Sequence, residues 1–203
     1  DYNNALELQK TVYYEYKGLL GENHPNTLSA LNDLALSYSC LGDYSKALEL
    51  QNTVYNARKK ILGENHPDTL SALHNLAIFC FDLGDYSKAL ELQNTVYKAF
   101  KGFLGKNHPN TLHALGNLAN SYFVLGDYNN ALELQKTVYY EYKGLLGENH
   151  PDTLRSLASL ANSYSCLGNH SKALEIEYEV YNTIKKKLGK NHPDTLSALN
   201  NLA

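Results

Sequence analysis

Apolar residues recur three and four positions apart along most of the chain, and polar residues occupy the positions between them. Two such apolar stripes follow one another between Pro67 and Leu104. The first comprises Leu70, Leu73, Leu76, Ala77, Cys80 and Leu83. The second comprises Tyr86, Ala89, Leu90, Leu92, Val96, Tyr97, Phe100, Phe103 and Leu104. This spacing predicts two amphipathic α-helices, a shorter helix A followed by a longer helix B.

Polar residues at the ends of the stripes predict where the helices begin and end. Asp68 and Thr69 follow Pro67 and form an N-capping signal for helix A. Gly84 and Asp85 then end helix A within a very short turn. Because so short a connection makes the chain reverse its direction, we expect the two helices to be antiparallel.

The whole pattern repeats every 42 residues without slipping. Gly-Asp-Tyr begins at residues 42, 84 and 126 and returns as Gly168-Asn169-His170, and His-Pro begins at 24, 66, 108, 150 and 192. Neither helix of a pair can bury its apolar stripe alone, so neighbouring pairs must stack. The sequence therefore predicts an all-α solenoid of antiparallel helix pairs.

The period also predicts the parts of this single solenoid domain. They are a helix B at residues 2–20, repeats at 26–62, 68–104, 110–146 and 152–188, and a partial helix A at 194–203. We expect the chain to be a segment of a longer array. Because it opens on a helix B and stops within a helix A, we also expect head-to-tail self-association.

The spacing of large and small residues within one unit resembles the tetratricopeptide repeat (TPR). The residues that carry the resemblance are Leu31, Leu34, Ala35, Tyr38, Gly42, Tyr44 and Ala47. This unit is longer than the roughly 34-residue repeat of the family. The extra residues fall at the end of helix B and in the Gly-Glu-Asn-His-Pro-Asp-Thr-Leu connection, which resembles the kinesin light chain class.

The resemblance covers essentially all 203 residues and carries expectations about fold and function. It implies a right-handed superhelix in which helix A lines a concave groove and helix B lies on the convex side. It also implies binding of a protein or peptide partner rather than catalysis. One departure is that Gln51, Gln93 and Gln135 stand where the family often has an aromatic residue.

The face of helix A opposite its apolar stripe is expected to line the groove. Arg155 is its one permanent cation, which argues against a carboxylate clamp and against binding of acidic-flanked peptides. Asparagine suits an extended peptide backbone because it both donates and accepts hydrogen bonds, and phenylalanine can form a pocket for an anchoring side chain. The alternative is a solvated helix face with two incidental aromatic residues. The candidate ligand-binding residues are Asn32, Asp33, His74, Asn75, Phe81, His113, Asn117, Asn120, Phe123, Arg155 and Asn162.

Two distant stretches of the chain are nearly identical. Residues 1–28 and 127–154 differ only at Asn26 and Asp152, which suggests duplication of a three-unit block. The following stretches differ at Ser29/Arg155, Ala30/Ser156, Asn32/Ala158, Asp33/Ser159 and Leu36/Asn162. Most of these are groove positions, so we hypothesise that the groove varies because it recognises ligands. The alternative is a recombination boundary near residue 28 with ordinary drift beyond it.

Composition and charge exclude several other classes of function. The formal net charge is −3 with both signs interspersed, and no apolar stretch is long enough to span a membrane, so we expect neither nucleic acid nor membrane as a partner. Three cysteines lack metal-type spacing, and five of the eight histidines belong to the repeated Asn-His-Pro connection as helix-start or turn residues. No catalytic grouping is present, so we expect no enzyme, no cofactor and no metal.

Three functions remain open. The first is an interaction scaffold that binds an extended peptide or partner segment in its groove. The second is a structural segment of a fibre formed by end-to-end stacking, and the third is the sensor arm of a larger nucleotide-binding switch protein. Cytoplasm is the default compartment for a chain without a disulfide framework, whereas a fibre would favour an extracellular one.

Overall fold

The computed structural model describes the backbone of residues 2–202 and the side chains of residues 4–202. Across this span every regular element is an α-helix, which confirms the predicted all-α class. The helices are α1 (Tyr2–Leu20), α2 (Pro25–Cys40), α3 (Tyr44–Leu62), α4 (Pro67–Asp82), α5 (Tyr86–Leu104), α6 (Pro109–Val124), α7 (Tyr128–Leu146), α8 (Pro151–Cys166), α9 (His170–Leu188) and α10 (Pro193–Asn200). They fall into two compact units, Asp1–Phe103 and Leu104–Ala203.

In the first unit, helices that follow one another in the chain pack against one another. α1 packs on α2, α2 on α3 and α3 on α4. Their shared core contains Leu6, Leu31, Leu34, Val54 and Ala72. α5 joins α4 through two ring contacts, Phe100 with His74 and Tyr86 with Phe81. Each apolar stripe is therefore buried by neighbouring helices, as stacked helix pairs require.

The second unit repeats this arrangement from α6 to α10. Consecutive helices pack from α6 through α9, and α10 packs on α9. One core cluster lies among α7, α8 and α9. Its buried members are Leu132, Tyr139, Leu157, Leu160, Ala161, Ile176 and Val180. Alanine recurs at the tightest positions of both units, and Ala35, Ala47, Ala119 and Ala131 are completely buried, because small residues let helices approach closely.

Two members of the predicted apolar stripes are exposed. Leu83 is 42% exposed and Phe103 is 65% exposed. Leu83 is the C-cap residue of α4, where the chain already turns away from the packed face, and Phe103 lies in the last turn of α5. Phe79 and Gln93 are buried although the pattern did not place them in the stripes.

The N-caps of the helix A series differ from the prediction. His66 caps α4, and its Nδ1 accepts a hydrogen bond from the Asp68 backbone N–H at 3.2 Å. Pro67 occupies the first helical turn, where a missing N–H costs nothing. The prediction that Asp68 and Thr69 cap this helix is therefore wrong. The same histidine cap begins the other described A helices, at His24, His108, His150 and His192.

The turn between helix A and helix B depends on its Gly-Asp pair. Gly42 has a φ of +82°, a conformation that side-chain-bearing residues rarely adopt. Asp43 then caps α3, because its carboxylate accepts a hydrogen bond from the Lys46 backbone N–H at 3.0 Å. This explains why Gly-Asp marks the period so regularly. At the last such turn Asn169 takes the aspartate's place and caps α9 in the same way.

Candidate functional site

The predicted ligand-binding residues all lie on A helices and none is buried. The first unit holds Asn32 and Asp33 on α2 and His74, Asn75 and Phe81 on α4. The second unit holds the other six on α6 and α8, namely His113, Asn117, Asn120, Phe123, Arg155 and Asn162. Each set is half-buried or exposed, so its side chains are open to a ligand. The two units arrange them differently.

A cleft of about 350 Å³ lies between α6 and α8 in the second unit, and we call it the first cleft. All six predicted residues of that unit line it. Its remaining lining residues are Leu112, Gly116, Gln135, Val138, Tyr142, Asp152, Ser156 and Ser159. The structure therefore brings these six side chains together around one cavity.

The floor of the first cleft comes from α7, a helix B that sequence reasoning did not include. Gln135 is fixed there because its Oε1 accepts a hydrogen bond from the Ser163 hydroxyl at 2.7 Å. Tyr142 lies edge-on to His113, with 6.0 Å between ring centroids. Burial, reinforced by the Asp152 carboxylate, raises the pKa of the Tyr142 phenol above its ordinary value, although Arg155 opposes this. The floor thus carries a neutral aromatic ring and a fixed amide.

The rim of the first cleft is polar but nearly balanced in charge. Arg155 Nη1 lies 2.8 Å from Asp152 Oδ1, so the only permanent cation of the cleft is already paired. No described residue forms a hydrogen bond with the side chains of Asn117, Asn120 or Asn162. These three amides therefore keep their donors and acceptors for a ligand or for water.

The two phenylalanines lie in different units. Phe81 belongs to the first unit and Phe123 to the second. Each packs edge-to-face on the tyrosine that begins the next helix, Phe81 on Tyr86 at 5.0 Å and Phe123 on Tyr128 at 5.3 Å between centroids. Each ring is therefore held in place by its own turn, and Phe123 lines one end of the first cleft.

A second cleft of about 370 Å³ lies one repeat further on, between α8 and α10. Its floor is α9, where Val180 and Ile184 take the places of Val138 and Tyr142. α8 is the wall common to both clefts, and Arg155 lines both of them. The other lining residues are Asn149, Pro151, Leu154, Ala158, Lys187, Leu188, Asp194, Ser197, Ala198 and Asn201. The candidate surface thus continues from the first cleft to the second, and the side chains that line the two clefts differ.

In the first unit the predicted amides bind one another. Asn32 Oδ1 accepts hydrogen bonds from Asn75 Nδ2 at 3.1 Å and from Gln51 Nε2 at 3.2 Å. Gln51 is completely buried and also donates to the Ala72 carbonyl at 3.1 Å. Asn32 and Asn75 therefore link α2 to α4, and only their remaining groups can serve a ligand.

Sequence reasoning also missed a cation beside this face. Arg58 of α3 donates from Nη1 to the Asp68 carbonyl at 3.2 Å and from Nη2 to the Ser29 hydroxyl at 3.4 Å. It occupies the repeat position of Tyr142, where the other helix B segments carry tyrosine, phenylalanine or isoleucine. The 42-residue register alone could have revealed this exception, because arginine stands out against the apolar residues at that position.

The differences between the two duplicated segments coincide with the clefts. Residues 1–41 and 127–167 differ at six positions. In the second segment these are Asp152, Arg155, Ser156, Ala158, Ser159 and Asn162. Five line the first cleft and Ala158 lines the second. Only twelve of the 41 positions of the second segment line either cleft, so a random scatter of changes would rarely fall entirely within them.

The described residues were also searched for a metal site, a membrane-spanning helix and a reactive thiol. They contain no group of three histidine, cysteine or acidic side chains placed to hold a metal ion. None of the helices in residues 2–202 combines the length and apolar character that a bilayer crossing requires. Burial raises the pKa of the Cys80 thiol, which makes it less reactive than a surface thiol. The two clefts present amides and apolar floors.

Comparison with known proteins identifies the repeat. The sequence profile of the tetratricopeptide repeat family matches residues 1–60, 49–102, 68–139 and 110–186. These overlapping matches extend over most of the chain. No curated protein matches it.

Solved structures with similar folds include three informative examples. The nearly identical TPR-like repeats of a Podosopora anserina protein named as a kinesin light chain are 29% identical, with 92% of this chain and 89% of that one covered at a TM-score of 0.77. BtubC (BKLC) from P. vanneervenii is 18% identical, with 95% and 76% covered and a TM-score of 0.80. A Rap protein complexed with competence and sporulation factor is 15% identical, with 97% and 57% covered and a TM-score of 0.72.

Proposed function

Because this chain belongs to the tetratricopeptide repeat family, whose repeats build scaffolds for protein interactions, we propose that it binds an extended peptide segment of a partner protein. The proposed binding surface is the face of α6 and α8 that borders the first cleft. In this proposal the chain holds its ligand and performs no reaction on it.

The coincidence of sequence variation with the clefts is the observation that carries the proposal. Six changes separate the duplicated segments, and all six line a cleft. The exposed outer positions of α1 and α7 are free to vary without cost to the core, yet the two helices have the same sequence. Change confined to a cavity fits selection for different ligands better than it fits drift.

The chemistry of the first cleft suits a peptide in an extended conformation. Such a ligand presents backbone N–H and C=O groups along both edges, and asparagine side chains can pair with either. Asn117, Asn120 and Asn162 supply three such amides, while Val138 and Tyr142 supply an apolar floor for one side chain. The cavity of about 350 Å³ lies within the range of small binding pockets.

Structures of the same fold are compatible with this use. The Rap protein mentioned above is complexed with competence and sporulation factor. Its low identity to this chain restricts the likeness to the fold, so the choice of ligand must come from the side chains described here.

A peptide array probed with the purified chain tests the proposal. Peptides that bind are resynthesised, and their affinities are measured by fluorescence anisotropy against a variant carrying Asn120→Ala and Asn162→Ala. We expect this variant to bind about tenfold more weakly, since hot-spot truncations typically cost more than 1 kcal/mol. Asn182→Ala on the exposed face of α9 is the matched control and should leave binding unchanged. The proposal fails if no peptide binds, or if the control weakens binding equally.

A further inference from the structure

A glycine stands in the interior of α6, where glycine is unfavourable. Gly116 lies near the centre of this 16-residue helix. Glycine weakens a helix interior because it loses more conformational freedom on folding than any other residue. Among the described residues, the other glycines inside helices are in the last turn of a helix B, at Gly18, Gly102 and Gly144. A residue that weakens the middle of α6 needs another reason to be there.

The packing of the protein does not require this glycine. A methyl group in place of a Gly116 hydrogen would have no heavy atom within 4 Å, apart from its chain neighbours and the backbone of its own helix. Its backbone is not in the left-handed conformation that favours glycine at the turns, such as Gly126. The open space beside Gly116 is the first cleft, which this residue lines.

Other A helices carry a side chain at this repeat position. The equivalents of Gly116 are Asn32, His74, Ala158 and Asn200. In the first unit this side chain closes the gap between α2 and α4, because Asn32 Oδ1 accepts a hydrogen bond from Asn75 Nδ2 at 3.1 Å. The corresponding positions of α6 and α8 are Gly116 and Ser159, and the Ser159 hydroxyl donates to the Arg155 carbonyl of its own helix at 3.2 Å. The gap between α6 and α8 therefore stays open.

The side chains around this open space carry little free charge. Arg155 and Asp152 are paired with each other at 2.8 Å. The other lining residues are amides, hydroxyls, apolar side chains, Tyr142 and His113. An ionised group of a ligand would lose water here without gaining a free counter-ion, which is unfavourable. The space therefore suits an uncharged group.

We propose that Gly116 determines the specificity of the first cleft by leaving room for one large uncharged side chain of the bound peptide. This deepens the proposed function and rests on it. The side chain of the ligand passes over Gly116, between α6 and α8, and reaches the floor at Val138. Gly116 contributes space rather than a hydrogen bond, so any side chain at this position would compete with the ligand.

Stability gives the first test, and it needs no ligand. Gly116→Ala should raise the melting temperature by about 2–4 °C, because alanine favours the helix interior and meets open space. Thermal denaturation followed by circular dichroism measures this. A glycine that packing requires would behave in the opposite way, so a lower melting temperature in Gly116→Ala overturns the proposal.

Binding gives the second test, with substitutions copied from the chain's own first unit. Gly116→Asn reproduces Asn32, and Gly116→Asn combined with Ser159→Asn reproduces the Asn32–Asn75 pair, so both variants are expected to fold. The probe is a fluorescent form of the tightest-binding array peptide. We expect both variants to bind it about tenfold more weakly, because the added side chains fill the space. Gly144→Ala, in the last turn of α7 and outside the cleft lining, is the control and should leave binding unchanged.

An alanine scan of the probe peptide identifies the side chain that uses this space. At one peptide position, replacement by alanine should weaken binding to the original chain about tenfold. The original chain and Gly116→Asn should then bind that shortened peptide equally, because its small side chain no longer needs the space. Glutamate at the same peptide position should bind the original chain no better than alanine does, since the cleft offers no free counter-ion.

The outcomes separate this inference from the proposed function. If Gly116→Asn binds the probe as well as the original chain does, or weakens every peptide of the scan equally, the role of Gly116 is overturned. Full affinity of the glutamate peptide overturns the preference for an uncharged side chain. In either case the proposed function still stands, provided that the Asn120/Asn162 variant loses affinity. If no array peptide binds the chain, both are overturned.

Discussion

Glutamine side chains buried in the B helices connect them to neighbouring A helices. Gln135 Oε1 accepts a hydrogen bond from the Ser163 hydroxyl, and Gln9 accepts one from Ser37 at the same repeat positions. Phe79 replaces that serine in α4 and has no hydroxyl to offer. Gln51 donates instead to Asn32 and to the Ala72 carbonyl. Gln51 therefore bonds through its nitrogen only, and its buried Oε1, the atom that accepts the serine hydroxyl in Gln135, has no partner among the described residues.

Removing the serine hydroxyl tests the importance of this link. Ser163→Ala leaves buried Gln135 without the donor for its Oε1, and we expect a loss of about 1–3 kcal/mol in the free energy of unfolding. Urea denaturation followed by circular dichroism measures it. Ser165→Ala on the same helix is the control, since Ser165 is only half-buried. Equal losses in the two variants would contradict the account of the Gln135 link.

Histidine at the start of each A helix has a role that sequence patterns do not readily predict. The usual N-cap residues are serine, threonine, aspartate and asparagine, which is why Asp68 and Thr69 were the expected pair. In α4 the cap is His66, the residue before Pro67, and its Nδ1 accepts the hydrogen bond from the backbone N–H of Asp68. The strict recurrence of His-Pro was the available sign, but the pattern alone does not distinguish a cap from a turn residue.

Exchange of one histidine separates its capping role from simple packing. In His150→Ala the Asp152 N–H loses its acceptor, and we expect a loss of about 1 kcal/mol, the typical value for an N-cap. His150→Asn supplies an amide oxygen in its place and should recover most of that loss. Chemical denaturation of the three proteins gives the comparison. If asparagine destabilises the chain as much as alanine does, the capping interpretation is wrong.

The helices lie where the hydrophobic period predicts them, but the burial of each helix depends on the helices that pack against it. α1 and α7 have the same 19-residue sequence. Val12 of α1 is nevertheless 46% exposed, whereas Val138 of α7 is 5% exposed because α7 packs against both α6 and α8. Local sequence therefore predicts that a helix forms and which face is apolar. It does not predict how fully that face is covered.

Asp82 is the last residue of α4. Burial raises the pKa of its carboxyl above the ordinary value, and a negative charge is unfavourable at a helix C-terminus. Since the folded chain then holds this proton more tightly than the unfolded chain does, stability falls as pH rises above about 4. We expect Asp82→Asn to be more stable than the original chain at neutral pH by roughly 0.5 kcal/mol.

The pH dependence distinguishes this cause from a general effect of charge. Below about pH 4 the carboxyl is protonated in both states, so the advantage of Asp82→Asn should disappear. Asp33→Asn makes the same change in charge within α2, away from any helix C-terminus, and should show no comparable gain. A gain for Asp82→Asn that is constant from acid to neutral pH would refute the explanation. Thermal denaturation across a pH series is the measurement.

For the molecule as a whole, the repeat period predicted the all-α class and the helices that carry the candidate residues. Six of the eleven predicted residues meet in the first cleft, because residues one period apart on α6 and α8 face the same gap. The other five lie in the first unit, where Asn32 and Asn75 bond to each other. That pairing depends on the distance between α2 and α4, which a local sequence pattern does not predict.

The residues that form the cleft floors could not be predicted from the sequence for a similar reason. Gln135 and Tyr142 belong to a helix B, and only the packing of α7 between α6 and α8 turns them toward the cavity. Lys187 and Arg58 were missed in the same way. The period still contained a clue, since charged residues at apolar repeat positions mark places where the chain departs from its own pattern.

Photo-crosslinking can show whether a bound peptide lies along α6 and α8. A peptide selected from the array is made with a photoreactive side chain, crosslinked to the chain, digested and mapped by mass spectrometry. We expect crosslinks at first-cleft residues such as Asn120, Phe123 and Asn162. Crosslinks confined to exposed residues of the B helices, such as Asn129 and Asn182, would contradict it.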